Sequence, residues 1–94
     1  MPNHAELSAF ICDTFSRHVE IEPEVLYGED LSLAAIIKTS PKMTNSVDLM
    51  EAFARTANAL RKTWGIRVRL PTLPLDTPVS RVLDIFLAEA AVAA

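Results

Sequence analysis

The sequence predicts an all-α fold, a small bundle of three to four helices, and three observations carry that prediction. Two long stretches place apolar residues three and four apart, the spacing of one helical face. A third stretch opens on Thr77-Pro78, with proline where a helix tolerates it best. The one alternating run, Ile66 to Leu70, is isolated, and a lone strand has nothing to pair with. Ninety-four residues make one domain, 1–94, with a core over about residues 5–88.

The first helix is predicted over about Ala5 to His18. Asn3 stands as its cap, with Glu6 three residues on in a capping-box arrangement. Leu7, Phe10, Ile11, Thr14 and Phe15 fall on one face, and Asp13 and Arg17 pair four apart on the other. Residues 19–30 form a connector in which Pro23 begins a turn and Val25 and Leu26 supply apolar anchors. The apolar run Leu31 to Lys38 reads as a short helix or buried loop capped by Asp30. Thr39-Ser40-Pro41-Lys42 breaks it.

The second long helix is predicted over about Val47 to Thr63, with Val47, Met50, Phe53 or Ala54, Ala57, Leu60 and Trp64 as its buried stripe. Gly65 ends it, and Arg61 and Lys62 suit the negative end of its dipole. Thr44, Asn45 and Ser46 are all good capping residues for its start, and Asp48 and Glu51 place negative charge in its first turn. Ile66, Val68 and Leu70 alternate with Arg67 and Arg69 in a packed loop, and Leu73 and Leu75 are expected to cover the open end of the core. The last helix has Thr77 as cap, Pro78 at its first position and Val79, Val82, Leu83 and Phe86 facing inward. Arg81 and Asp84 are its solvated residues, and Ala88 to Ala94 are expected to fray.

Composition excludes several classes of function. Two glycines leave no material for a Gly-rich phosphate loop. Cys12 is the one cysteine, set in an apolar stripe, and reads as a small core residue. His4 and His18 lie fourteen apart without further ligands, so no metal site is expected. No nucleophile–base pair or carboxylate dyad can be assembled, and the chain reads as non-catalytic. With no long apolar run and no leader pattern, a cytoplasmic protein without stable membrane insertion is expected, as a monomer. The net charge of −3 is unevenly spread, from −4 over residues 1–45 to +3 over 46–69 and −2 over 70–94. That basic island lacks interleaved exposed aromatics, so nucleic acid is not the expected partner.

In order and spacing these residues resemble the acyl carrier protein family and its relatives in fatty acid, polyketide and nonribosomal peptide synthesis. The family's attachment motif commonly reads Asp-Ser-Leu-Asp-x-x-Glu, which Asn45, Ser46, Val47, Asp48 and Glu51 resemble. Trp64-Gly65-Ile66-Arg67-Val68 is similar to its Phe-Gly-Ile-x-Ile, and Asp76-Thr77-Pro78-Val79 to the start of its final helix. The likeness spans roughly residues 5–88 and implies a bundle with a long loop after the first helix and a reduced third helix. It further implies a 4′-phosphopantetheine arm on Ser46, donated by coenzyme A through a phosphopantetheinyl transferase, with Asn45, Val47, Asp48 and Glu51 as flanking recognition residues. An acyl or aminoacyl thioester would ride on that arm between a loading enzyme and synthases or acyltransferases. Capping by itself also accounts for a serine at this place.

The sequence departs from the family at several points. Asn45 and Val47 stand where the family has Asp and Leu, and Ser46 precedes Trp64 by eighteen residues, about one helical turn more than usual. The family's second helix is acidic and docks basic partners, whereas this one carries Arg55, Arg61 and Lys62. Met50 and Arg55 are its candidate docking residues, and a dedicated partner set in a specialised pathway is expected. A carrier-like domain that lacks the arm and acts as an interaction module is the alternative.

Overall fold

The computed structural model describes residues 3–93, with side chains to residue 92, and the described residues form five helices and no strand. These are α1 (His4–Val19), α2 (Pro23–Leu26), α3 (Leu33–Thr39), α4 (Ser46–Trp64) and α5 (Val79–Ala93). The bundle is all-α as expected, with three long helices and two short ones rather than three or four in all. No helix is long and apolar enough to cross a membrane among the described residues.

Asn3 caps α1 through its Oδ1, which accepts the Glu6 N–H at 2.8 Å. Leu7, Ile11, Phe15 and Val19 recur every four residues and are buried, so the helix turns one stripe inward. The Asp13–Arg17 pair forms on the far side at 2.7 Å, both ends exposed. Glu20 ends the helix in the left-handed region at φ 53°, its N–H donating to Arg17 and Ser16.

The connector is more ordered than a turn. Pro23 starts the single-turn α2, where its missing N–H leaves no bond unmade, and Leu26 is fully buried. Val25 is 36% exposed and does not anchor the connector; one helical turn can point only some of its residues inward. Asp30 does not cap α3. It adopts φ 49°, and Ser32 takes the capping role by accepting the Ala35 N–H at 3.2 Å. The Asp30 carboxylate reaches fifty residues along the chain, accepting the Ser80 N–H at 2.9 Å and the Ser80 hydroxyl at 3.0 Å. It thus caps α5 in place of Thr77.

That helix starts one residue later than expected, at Val79. The Pro78 carbonyl receives the first bonds from Arg81 and Val82, at 3.0 and 3.4 Å. Backbone bonds from Val79 to Leu31 (2.8 Å) and from Leu33 to Thr77 (3.0 Å) tie the two segments together beside an isolated bridge, Ser32 to Pro78. The far end of α5 does not fray within the described residues. It continues to Ala93, and Ala90 is 1% exposed because α5 packs along α1; Ala94 lies outside the described residues.

The main contact is between α1 and α4. Phe10 meets Trp64 edge-on at 4.7 Å and Phe15 stacks on Phe53 at 5.3 Å. Rising numbers on α1 meet falling numbers on α4, so the two helices run antiparallel. Among the described residues no buried side-chain polar atom lacks a partner: Ser40 donates to the Val19 carbonyl and Thr56 to that of Ala52.

Candidate functional site

The site is built at the start of α4, and the three candidate caps have separate jobs there. Asn45 is the cap, its Oδ1 accepting the Val47 N–H at 2.9 Å and the Asp48 N–H at 3.2 Å. Thr44 lies outside the helix and donates both its N–H and its hydroxyl to Asp48, at 2.9 and 3.0 Å. Those bonds hold the Asp48 carboxyl below the usual aspartate range. Ser46 is the first helical residue, is exposed, and its hydroxyl joins none of these bonds. Asn45 and Asp48, expected as flanking recognition residues, therefore have their side chains committed to the turn. Val47 and Glu51 are exposed. The first-turn N–H groups expected to meet a phosphodiester are partly taken, since Asn45 already holds two of them.

The buried face of α4 is Leu49, Ala52, Thr56 and Leu60, rotated from the expected stripe. Val47 and Met50, expected in the core, are 62% and 61% exposed. Apolar residues surround most of the first two turns, and packing against the rest of the bundle selects Leu49 and Ala52 from among them. Trp64 is half-buried against Phe10, and Gly65 closes the helix at φ 71° with its N–H on the Arg61 carbonyl.

After Gly65 the chain returns along α4 as an extended loop. Ile66 is buried, and Val68 and Leu70 are half-buried between exposed Arg67 and Arg69. No helix forms between Trp64 and Val79, so nothing stands where a third carrier helix would. Pro71 and Pro74 lack an N–H, which keeps this segment out of a helix.

Where it stands off from α4 it leaves an apolar cavity of about 400 Å³. Leu33 and Leu49 form the buried floor, and Phe53, Ala57, Val68 and Leu73 the half-buried walls. The small side chains of Ala54 and Ala57 leave the room. Leu75, expected to cover the open end of the core, is 48% exposed and lines this cavity instead. Ser46 and Met50 are exposed residues of the same cavity. Ser46 and Thr72 are the only lining residues with polar side chains. Leu33 and Thr72 had no signal as site residues, because each joins the cavity only through the tertiary fold.

On the other side of α4 a smaller cleft of about 240 Å³ gathers Arg17, His18, Lys42, Asp48, Glu51 and Arg55. Partial burial, then the charges of Arg55 and Lys42, push the His18 imidazole down from its ordinary value. Lys42 is paired with Glu20 at 3.1 Å. Cys12 sits half-buried with its thiol pushed up by burial, against hydrogen bonds with Tyr27 and Ser8. Among the described residues no group of His, Cys, Asp or Glu could hold a metal ion.

No protein-family model matches the chain, nor does any curated protein or solved structure.

Proposed function

We propose that this chain is a carrier protein whose Ser46 hydroxyl bears a 4′-phosphopantetheine arm and whose α4 cavity shelters the acyl chain on that arm. One observation carries the reading: Ser46, exposed and outside the capping bonds that its neighbours make, is among the residues that line the same apolar cavity. The arm supplies a terminal thiol on which an acyl group rides as a thioester. The protein's own residues anchor the phosphate, shelter the chain and expose α4 to partners.

The cavity lining favours an aliphatic acyl group over an aminoacyl or polyketide one. Its walls offer no charged or amide side chain to an ammonium or a row of carbonyls, so burying such groups would cost hydrogen bonds. Each methylene taken from water contributes about 0.8 kcal/mol. A transferase that adds the arm, a loading enzyme and synthases or acyltransferases are the partners that this cycle requires.

The test is incubation with coenzyme A and phosphopantetheinyl transferases, a broad-specificity one and those of the source organism, followed by intact mass and peptide mapping. The expected result is one phosphopantetheine adduct on Ser46, absent from Ser46→Ala. No adduct with any of them sinks the attachment. A second reading, an interaction module without an arm, is favoured by the exposure of Val47 and Met50 on α4. Full function of Ser46→Ala in its host would select it.

A further inference from the structure

From Ala52 to Leu75 the chain carries Arg55, Arg61, Lys62, Arg67 and Arg69 and no acidic residue. All five cations are exposed, and none forms a salt bridge among the described residues, where Arg17 and Lys42 each have a carboxylate. Their placement follows from the fold. Arg55 and Lys62, seven residues apart, lie about 20° apart around α4 and share one edge of its outward face. Arg61 lies toward the other edge, where the returning segment runs. That segment turns Val68 and Leu70 toward the helix, and so turns Arg67 and Arg69 out. Between the edges lie the exposed residues Ala54 and Asn58, and the Arg61 guanidinium donates to the Asn58 Oδ1 at 2.8 Å. The result is a strip with cations on both sides, whose nearest carboxylates, Asp48 and Glu51, lie beyond its Arg55 end.

We propose that this strip docks the acidic surface of a partner protein. Carboxylates brought against it would relieve repulsion among the five cations and steer encounter. A bilayer fits less well. The exposed apolar residues that could enter it, Val47, Met50 and Leu75, sit beside Asp48, Glu51 and Asp76, so an anionic membrane would meet carboxylates at the points of insertion. A single-stranded nucleic acid would need aromatic faces, and the two aromatics here, Phe53 and Trp64, are half-buried and engaged with Phe15 and Phe10. The proposal concerns the bare face and does not depend on modification of Ser46.

The test uses the unmodified, isotope-labelled protein and four probes, read by amide shifts: a helical peptide of leucine and glutamate, its leucine–lysine counterpart, phosphatidylserine vesicles and oligothymidylate. The glutamate peptide is expected to saturate shifts over residues 52–70, more weakly as salt is raised, with no response to the lysine peptide. R61E/K62E should weaken that binding about tenfold with unchanged helical content. R61A/K62A, which removes charge without reversing it, should lose less. Shifts that map elsewhere, or affinity indifferent to both variants, overturn the proposal. So does tighter occupation of the same amides by vesicles or oligothymidylate. Self-association of the protein that R61E/K62E abolishes would assign the strip to a second copy and overturn it as well.

Discussion

Replacing Asn45 and Ser46 one at a time by alanine separates the fold's use of this turn from any use of its hydroxyl. Asn45→Ala removes an acceptor that holds two first-turn N–H groups, at 2.9 and 3.2 Å, and leaves both to water. Losing such a cap costs about 1 kcal/mol, within a range of roughly 0.5–2. In a domain this size, about 1 kcal/mol lowers the melting temperature by roughly 4–8 °C. Ser46→Ala removes a hydroxyl with no bonding partner in the turn, at a position where alanine is the better helix former. Its melting temperature should stay within roughly 2–4 °C of the parent, because surface changes away from such features stay within about 0.5 kcal/mol. Thermal melts followed by circular dichroism at the helical band measure both. Equal destabilisation by the two variants would refute the division of labour, because Ser46 would then be part of the cap.

Three further outcomes follow from the same geometry. Asp48→Asn should destabilise at neutral pH and lose that effect in acid. The folded-state carboxyl lies below its ordinary 3.8, so its contribution is present above that value and disappears as pH falls through the folded value. Melts of parent and variant across the acid range check it, and a gap that widens on acidification contradicts it. Tyr27, the one tyrosine, is half-buried, and burial pushes its phenol up from 10.0, followed by the charge and hydrogen bond of Cys12. Stability is therefore full below pH 10 and falls above it; phenolate absorbance should appear only together with loss of helix, and earlier phenolate would show an open pocket. Ala57→Phe should fill part of the α4 cavity and sharply reduce the fluorescence of an apolar dye such as anilinonaphthalene sulfonate, with stability held or raised by about 0.5–2 kcal/mol. Undiminished dye binding would place the dye's site elsewhere.

Much of the helical content was legible because its causes are local. The four-residue spacing of Leu7, Ile11 and Phe15, the Asn3 cap and the Gly65 stop act within a turn or two of themselves. The same holds for the loop over Ile66–Leu70, whose one-sided alternation without a partner strand ends as a packed extended segment. Ser46 was legible as the start of a long helix, though not as the residue left out of its cap. Asn45 and Thr44 likewise carry a side-chain oxygen able to cap, and only the backbone path decides which of the three faces the open N–H groups.

What the sequence by itself determined is therefore the set of long helices, where their patterns begin, and the uneven distribution of charge. Tertiary structure decided the rest, for one physical reason: each remaining choice depends on what an element packs against. Val47, Leu49, Met50 and Phe53 all offer apolar surface at the start of α4, and packing in the bundle buries Leu49 while leaving Val47 and Met50 outside. Asp30 lies three residues before the start of α3 in sequence, and chain folding places it under Ser80 instead. The cavity belongs to no single segment. It exists because a proline-held loop returns beside two alanines of α4, with Ser46 among the residues that line it.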